Sequence, residues 1–426
     1  MTAATAGGSA LSVLRVKGFP WTLLSVFSAF LGWSLLLPVI PVSMIDAGYG
    51  ATLAGLSTGI FMAATVVTQF FVPRLLRSAG YVPVMITAAI LLGVPSAFYL
   101  IDGGAWLVLL VSAIRGVGFG AVTVAQAALL AELVPPRQLG RANAFFGTAL
   151  GVGEILGFSI GLTLYANAGD LVFLIAVLCG VVGALAAIGV PSLHAAVKTE
   201  RVSGTDADAG VRRAPMWKLT TVPVVGLCTG AMGFGAFSAF TAPAVDEIDP
   251  AAAATVTGLA LAVTGGAQIL GRMVSGWWVD RTGEPGRLVV QASLLVVLGM
   301  LALAWVLHSA SSGAALVVGT LGSAALFGVG FGAVQSETML MMFARTPKDR
   351  VSDASAVWNM AFDSGTGSGS AVLGVVAASA GYGGVFLVGA GLVGVGTLTL
   401  AGDRLLGRHR VVEHGNIRTR LRRLAG

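Results

Sequence analysis

The stretch Gly116-Val-Gly-Phe-Gly-Ala-Val122 recurs unchanged at residues 328 to 334. A chain with 60 glycines among 426 residues could repeat seven small residues by accident, so the flanks decide. At the same offset of 212, Pro135 meets Pro347, Ala142 meets Ala354, Ala144 meets Ala356, Ala149 meets Ala361, Gly153 meets Gly365 and Gly157 meets Gly369. A second stretch matches at an offset of 203. There Ile45-Asp46, Thr52, Gly55-Leu56 and Gly80 stand against Ile248-Asp249, Thr255, Gly258-Leu259 and Gly283. These matches predict two copies of one unit.

Working outward, the hydrophobic segments cut into twelve spans. They lie near 19–43, 52–73, 82–101, 106–132, 142–166 and 170–191, then 219–244, 254–279, 287–307, 314–343, 352–379 and 384–402. Each is about 20 residues or more, enough for a helix to cross the hydrocarbon. Hydrophobic residues make up 56% of the chain and charged ones 10%, so most side chains have lipid or other helices as their solvent. With both termini inside, the basic residues between spans fall on the cytoplasmic face, and only Arg115 and Arg272 lie within spans. The expected fold is an all-α membrane protein of twelve transmembrane helices in two six-helix repeats. Because six is even, the repeats are parallel and related by an axis along the membrane normal.

The domain reading follows: a first bundle over 1–193, a cytoplasmic linker over 194–218, a second bundle over 219–403 and a basic tail over 404–426. The linker, with Ser203-Gly-Thr-Asp-Ala-Asp-Ala-Gly210, reads as a flexible tether or as a short amphipathic helix on the inner surface. The tail carries seven arginines from Arg404 to Arg423, more than orientation of the last span requires, and predicts contact with anionic lipid at the inner leaflet. The net charge of +6 is explained by this one-sided distribution and calls for no nucleic acid. Cys179 and Cys228 fall within spans and are expected as free thiols. The first 18 residues lack an apolar core and predict no cleavable signal. The four histidines fall at or beyond span ends and no HExxH-type motif occurs, so neither a metal site, a cofactor nor catalytic residues are expected.

Gly276-Trp-Trp-Val-Asp280-Arg281-Thr-Gly283 resembles the loop signature of the major facilitator superfamily, which reads G, three residues, D, R, one residue, G. Arg115-Gly-Val-Gly-Phe-Gly120 is similar to that family's span-4 arginine motif. Gly153-x-x-x-Gly157-Phe-x-x-Gly161 resembles the glycine-rich antiporter motif of its drug-efflux branch. The resemblance implies a twelve-span drug:proton antiporter of the cell (inner) membrane. Three departures stand against its finer parts: Pro73 and Arg77 replace the glycine and acid of the loop signature in the first half, Phe158 replaces the proline of the antiporter motif, and span 1 has no acid.

Ionisable groups within spans are costly and tend to be functional. Glu154, Glu337 and Asp363 qualify, and with Arg115 they are the candidates for proton coupling. Asn359, Asp363, Thr366 and Ser370 follow helical spacing and form one polar stripe; the competing reading makes Asp363 a structural acid satisfied by its neighbours. The resemblance implies that spans 2, 5, 8 and 11 form the seam between halves, with Glu154 and Asp363 on it. Arg272 reads as a partner for Glu154 or as an arginine snorkelling to the inner surface, and Arg115 carries the same alternative. Gly276, Asp280, Arg281, Gly283 and Arg272 form the expected cytoplasmic gate, in which Asp280 faces the positive end of a helix from the other half. Gln126, Gln335, Asn359, Trp33, Phe234, Phe237 and Trp358 are the expected substrate-cavity residues.

The function expected is proton-coupled export of small amphipathic or lipophilic organic molecules by a monomer that alternates access. Export of a polar metabolite, such as a sugar or a metal-chelating compound, is the alternative, and uptake symport the third. A membrane enzyme would need a nucleophile and base that the loops are too short to house, and a receptor or structural role leaves the duplication unexplained.

Overall fold

The computed structural model describes residues 10–134, 139–193, 216–282, 284–309, 312–346 and 351–406. The helices are α1 (Phe19–Asp46), α2 (Gly50–Ser78), α3 (Tyr81–Gly93), α4 (Gly104–Leu133), α5 (Leu139–Ala168) and α6 (Leu171–Ile188). They continue as α7 (Met216–Asp246), α8 (Ala253–Thr282), α9 (Val289–Ser309), α10 (Ala314–Arg345) and α11 (Val351–Leu406). A 3-10 turn, Ala10–Arg15, precedes α1, and a second, Val94–Leu100, completes the third span. Eleven helical segments among the described residues are long and apolar enough to cross a membrane. The expected spans 352–379 and 384–402 run together as α11, whose 56 residues leave helical geometry at Gly381 (φ 69°, ψ 177°). The positive φ there suits a residue without Cβ. Of the expected linker 194–218, residues 194–215 lie outside the described residues and the last three begin α7, and the tail beyond Leu406 also lies outside them.

By packing, the chain forms two compact units: Met1–Leu36 with Ala64–Val197, and Leu37–Ala63 with Lys198–Gly426. In lipid no hydrophobic force drives helix against helix, so close packing through small residues takes its place. Gly120 of α4 approaches α2 so closely that a Cβ would lie 2.4 Å from Thr65 O, and Thr65 Oγ1 donates to Gly116 O at 3.0 Å. In the second unit Gly332 of α10 approaches α8 in the same way, 2.1 Å from Gln268 O. Residues 65 and 268 differ by the 203-residue offset, and 120 and 332 by the 212-residue offset, so the two glycine stretches make contacts at matching offsets.

Gly332→Val is expected to lower the stability of the second unit by about 2–3 kcal/mol, since a branched side chain must displace backbone. Gly322→Val is the control, because a Cβ there meets nothing within 4 Å. Thermal unfolding of the two variants in detergent checks this, and equal midpoints would contradict the close α8–α10 approach.

The end of α1 and the start of α2, Leu37–Ala63, pack with the helices after Lys198. Glycine again allows it: Gly55 of α2 lies against Ser370 of α11, and Gly374 of α11 against Ala51 and Gly55. Thr52 Oγ1 donates to Gly374 O at 3.5 Å.

Candidate functional site

In the first unit the polar centre is Arg115, buried on α4. Its Nε donates to Leu92 O at 3.0 Å and its Nη2 to Gly32 O at 3.5 Å, while its guanidinium carbon stands 5.8 Å from the centre of the Tyr99 ring. The local sequence explains why Leu92 O is available. The third span tightens into a 3-10 turn at Val94, and in that register Leu92 O would pair with residue 95. Pro95 has no N–H, so the guanidinium takes the carbonyl instead. A hydrogen bond from a charged donor contributes about 1.5–3 kcal/mol net. Tyr99 is oriented in turn by a 3.0 Å hydrogen bond between its hydroxyl and Ser112 Oγ. Arg115 therefore joins α1, the third span and α4.

Three turns from Arg115's level, Gln126 of α4 donates from Nε2 to Ser25 Oγ of α1 at 3.1 Å. Trp33 is buried and stacked on Phe119, with ring centres 5.1 Å apart and planes at 13°. Phe30 and Phe158 meet it edge-on at 6.0 Å each. Phe158, the residue that departs from the antiporter motif, is thus part of an aromatic box, where a proline would offer no aromatic ring. Glu154 lies half-buried on α5, one turn before it.

In the second unit a chain of side-chain amides joins α8 and α10. Arg272 Nη2 donates to Gln335 Oε1, and Gln335 Nε2 donates to Gln268 Oε1 at 2.9 Å. Both glutamines are buried. Two residues after Gln335, fully buried Glu337 accepts from Ser275 Oγ at 2.9 Å and from the Gly286 N–H at 2.6 Å. Beside this runs a line of aromatic rings. Trp358 stacks on Phe362 (5.9 Å, 13°), Phe362 on Phe331 (5.9 Å, 16°) and Phe331 on Phe234 (5.6 Å, 21°). Phe237 stacks on Phe327 at 5.1 Å, and Trp358 Nε1 donates to Thr338 Oγ1 at 3.2 Å.

Asp363 is buried on α11. On its stripe, Asn359 is exposed and donates to Ser355 O at 2.9 Å, and the Thr366 and Ser370 hydroxyls donate to carbonyls of their own helix. Of the expected gate, Gly276 has open space where a Cβ would stand, and Arg281 lies over the Trp277 ring at 4.1 Å. The Asp280 side chain and Gly283 lie outside the described residues.

The structure thus brings together Arg272 with Gln335, and Phe234 with Trp358 through Phe331 and Phe362. Gln268, Ser275, Thr338, Phe119, Phe331 and Phe362 were not singled out from sequence. Gln268 was within reach, since it stands four residues before Arg272 on one face of α8. The aromatic partners carried no such signal, because a phenylalanine in a membrane helix meets lipid as readily as another ring.

A family model described as Major Facilitator Superfamily matches residues 22–370. The Quinolone resistance protein NorA of Staphylococcus aureus (strain MSSA476) is 24% identical over 262 residues, 60% of this chain and 65% of that protein. The match therefore spans just under two thirds of the relative's length. An uncharacterized MFS-type transporter of Mycobacterium tuberculosis (strain CDC 1551 / Oshkosh) is 28% identical over 168 residues, 38% of this chain and 23% of that protein. Among solved structures, an auto-inhibited POT family peptide transporter superposes with a TM-score of 0.72 at 12% identity, covering 94% of this chain and 99% of that one. A bacterial homologue of the human lysosomal transporter Spinster gives 0.71 at 13%, covering 93% and 99%. At such identities the likeness is one of fold.

Proposed function

We propose, from the premise that this chain belongs to the Major Facilitator Superfamily, that it is a secondary active exporter of small amphipathic or lipophilic organic molecules driven by protons. The chain is a multi-pass membrane transporter and not an enzyme, as its family and relatives are. The observation that carries the finer reading is Asp363, an acid buried within a membrane helix, where an ionisable group is retained for pairing or titration. The named relative, a quinolone resistance protein, supports the outward direction and an amphipathic cargo. Apolar ring surface, Trp358 to Phe234 in one unit and Trp33 with Phe119 in the other, suits such molecules.

In this reading the chain has twelve spans, with α11 counted as two about Gly381, arranged as two six-helix repeats. Both termini are cytoplasmic in the cell (inner) membrane, and the chain works as a monomer. Glu154 and Asp363 exchange protons, Arg115 holds the first bundle together, and the loop signature from Gly276 through Asp280 and Arg281 to Gly283 biases closure of the cytoplasmic side. The basic tail takes anionic lipid. The contact of α2 with α11 through Gly55 supports alternating access, because a backbone contact without interlocking side chains can be made and broken repeatedly.

A second reading, export of a polar metabolite, is favoured by the amide chain Gln268–Gln335–Arg272, which could bind hydroxyl or carboxylate groups. Proteoliposomes holding the purified chain separate the two. Substrate-dependent proton movement with amphipathic compounds is expected, together with raised resistance of a pump-deficient strain to the same compounds. Proton movement with sugars or chelators alone would favour the second reading, and transport of any cargo without proton movement would sink the coupling.

A further inference from the structure

Residues Glu284 to Arg287 turn the chain from the end of α8 into α9, and this elbow is held from two sides. Gly286 stands at the bend with φ 84°, in the left-handed region that favours glycine. Its N–H donates to Glu337 Oε2 at 2.6 Å, and the Leu288 N–H is turned to the same carboxylate. Ser275 Oγ, near the end of α8, donates to Glu337 Oε1 at 2.9 Å. One turn further along α10, Met341 closes over the bend, since a Cβ at Gly286 would lie 2.8 Å from Met341 Cγ. From the last turn of α11, Arg404 Nη1 donates to Arg287 O at 2.6 Å, and Arg287 pairs with Glu284 at 3.2 Å.

The first N–H groups of a helix have no acceptor within it, and a carboxylate beside them satisfies the donors and complements the helix dipole. Helices usually draw that cap from the residue just before them. Here Glu337 of α10, 51 residues later in the chain, takes instead the N–H of Gly286 in the turn ahead of α9. Ser275 stands next to Gly276, the first residue of the loop signature, so one carboxylate grips both ends of the segment that contains it. Protonation would put a hydrogen on one of the two oxygens that now accept, and would break part of this grip.

We propose that Glu337 is a positioning residue, which locks the α8–α9 elbow to α10 so that the loop signature moves with α10 as one body. It acts through the loop and carries no proton in the transport cycle. This goes beyond the transport reading and depends on it only for what the moving loop accomplishes.

Amide hydrogen exchange of the full-length chain in lipid nanodiscs tests the lock without reference to any substrate. Glu337→Ala is expected to speed exchange of the amides at 284 and 286–289 about tenfold or more, with α7 unchanged as an internal reference. Ser275→Ala removes one donor and Gly286→Ala disturbs the bend while leaving the carboxylate; each is expected to give a smaller acceleration in the same amides. Unchanged exchange at the elbow in all three variants would overturn the lock. In proteoliposomes Glu337→Gln is expected to reduce the maximal rate several-fold with the KM within roughly twofold and the midpoint of the pH profile unmoved. A displaced pH midpoint, or substrate exchange that persists while uphill transport is lost, would make Glu337 a proton carrier and overturn the proposal even if the elbow loosens.

Discussion

Uphill transport driven by a proton gradient is expected to fall at least about a hundredfold in Asp363→Asn, while substrate exchange down its own gradient persists. Asp363 lies twelve residues into α11, about 18 Å along the axis at 1.5 Å per residue. At such depth an acid costs about 2.5–3.5 kcal/mol on insertion scales, and a larger amount where no water reaches it. Asparagine has nearly the same shape and can keep hydrogen bonds, so folding is preserved, but it cannot take up and release a proton. The neighbouring Thr366 and Ser370 hydroxyls donate to Phe362 O and Thr366 O of their own helix, at 3.0 and 3.1 Å. Parallel assays of gradient-driven uptake into inverted vesicles and of counterflow decide the matter. Normal uphill transport by the variant across external pH would remove Asp363 from the mechanism.

Gly55→Leu is expected to reduce transport more than about tenfold by keeping α2 off α11. Gly55 and Gly59 are four residues apart on one face of α2. A Cβ at Gly55 would stand 2.1 Å from Ser370 O, and one at Gly59 2.9 Å from Ala371 Cβ. From the other helix, a Cβ at Gly367 would come within 2.5 Å of Met62 Cβ. Such a contact works in membranes because small residues let two backbones approach, and a leucine at its centre forces them apart. If the contact forms and opens once per cycle, its loss stops the cycle. Gly322→Leu, on a face with open space around it, serves as the control and should transport normally. Thermal stability measured alongside separates the two ways of failing. Full activity of Gly55→Leu would mean that transport does not pass through this closed contact.

Much of the framework was legible in the chain itself. Segments of about 20 apolar residues must form helices in lipid, because no other local structure satisfies their backbone groups. The twofold stretch GVGFGAV marked the helices whose glycines make equivalent contacts, Gly120 on Thr65 and Gly332 on Gln268. The loop signature from Gly276 pointed to the family whose model matches residues 22–370. The candidate site was legible only as a set of residue types. Asp363 could be placed on a polar stripe by counting along one helix, and it is buried there. Glu337 looked much the same by that count, yet its carboxylate is turned to Ser275 and the Gly286 N–H.

Hydropathy, span length, charge placement and internal repetition are properties of the chain in one dimension, so the sequence by itself determined the membrane-helical class, the family and the residues costly enough to need a partner. Which partner each one found was decided by the tertiary structure alone. Arg115 meets the carbonyl that Pro95 leaves open, Gln335 links Gln268 to Arg272, and Leu37–Ala63 packs with the helices after Lys198. The physical reason is that a buried polar group bonds to whatever donor or acceptor stands at its depth on the adjoining helix. That depth depends on how closely two backbones approach, a distance set by small residues from separate parts of the chain.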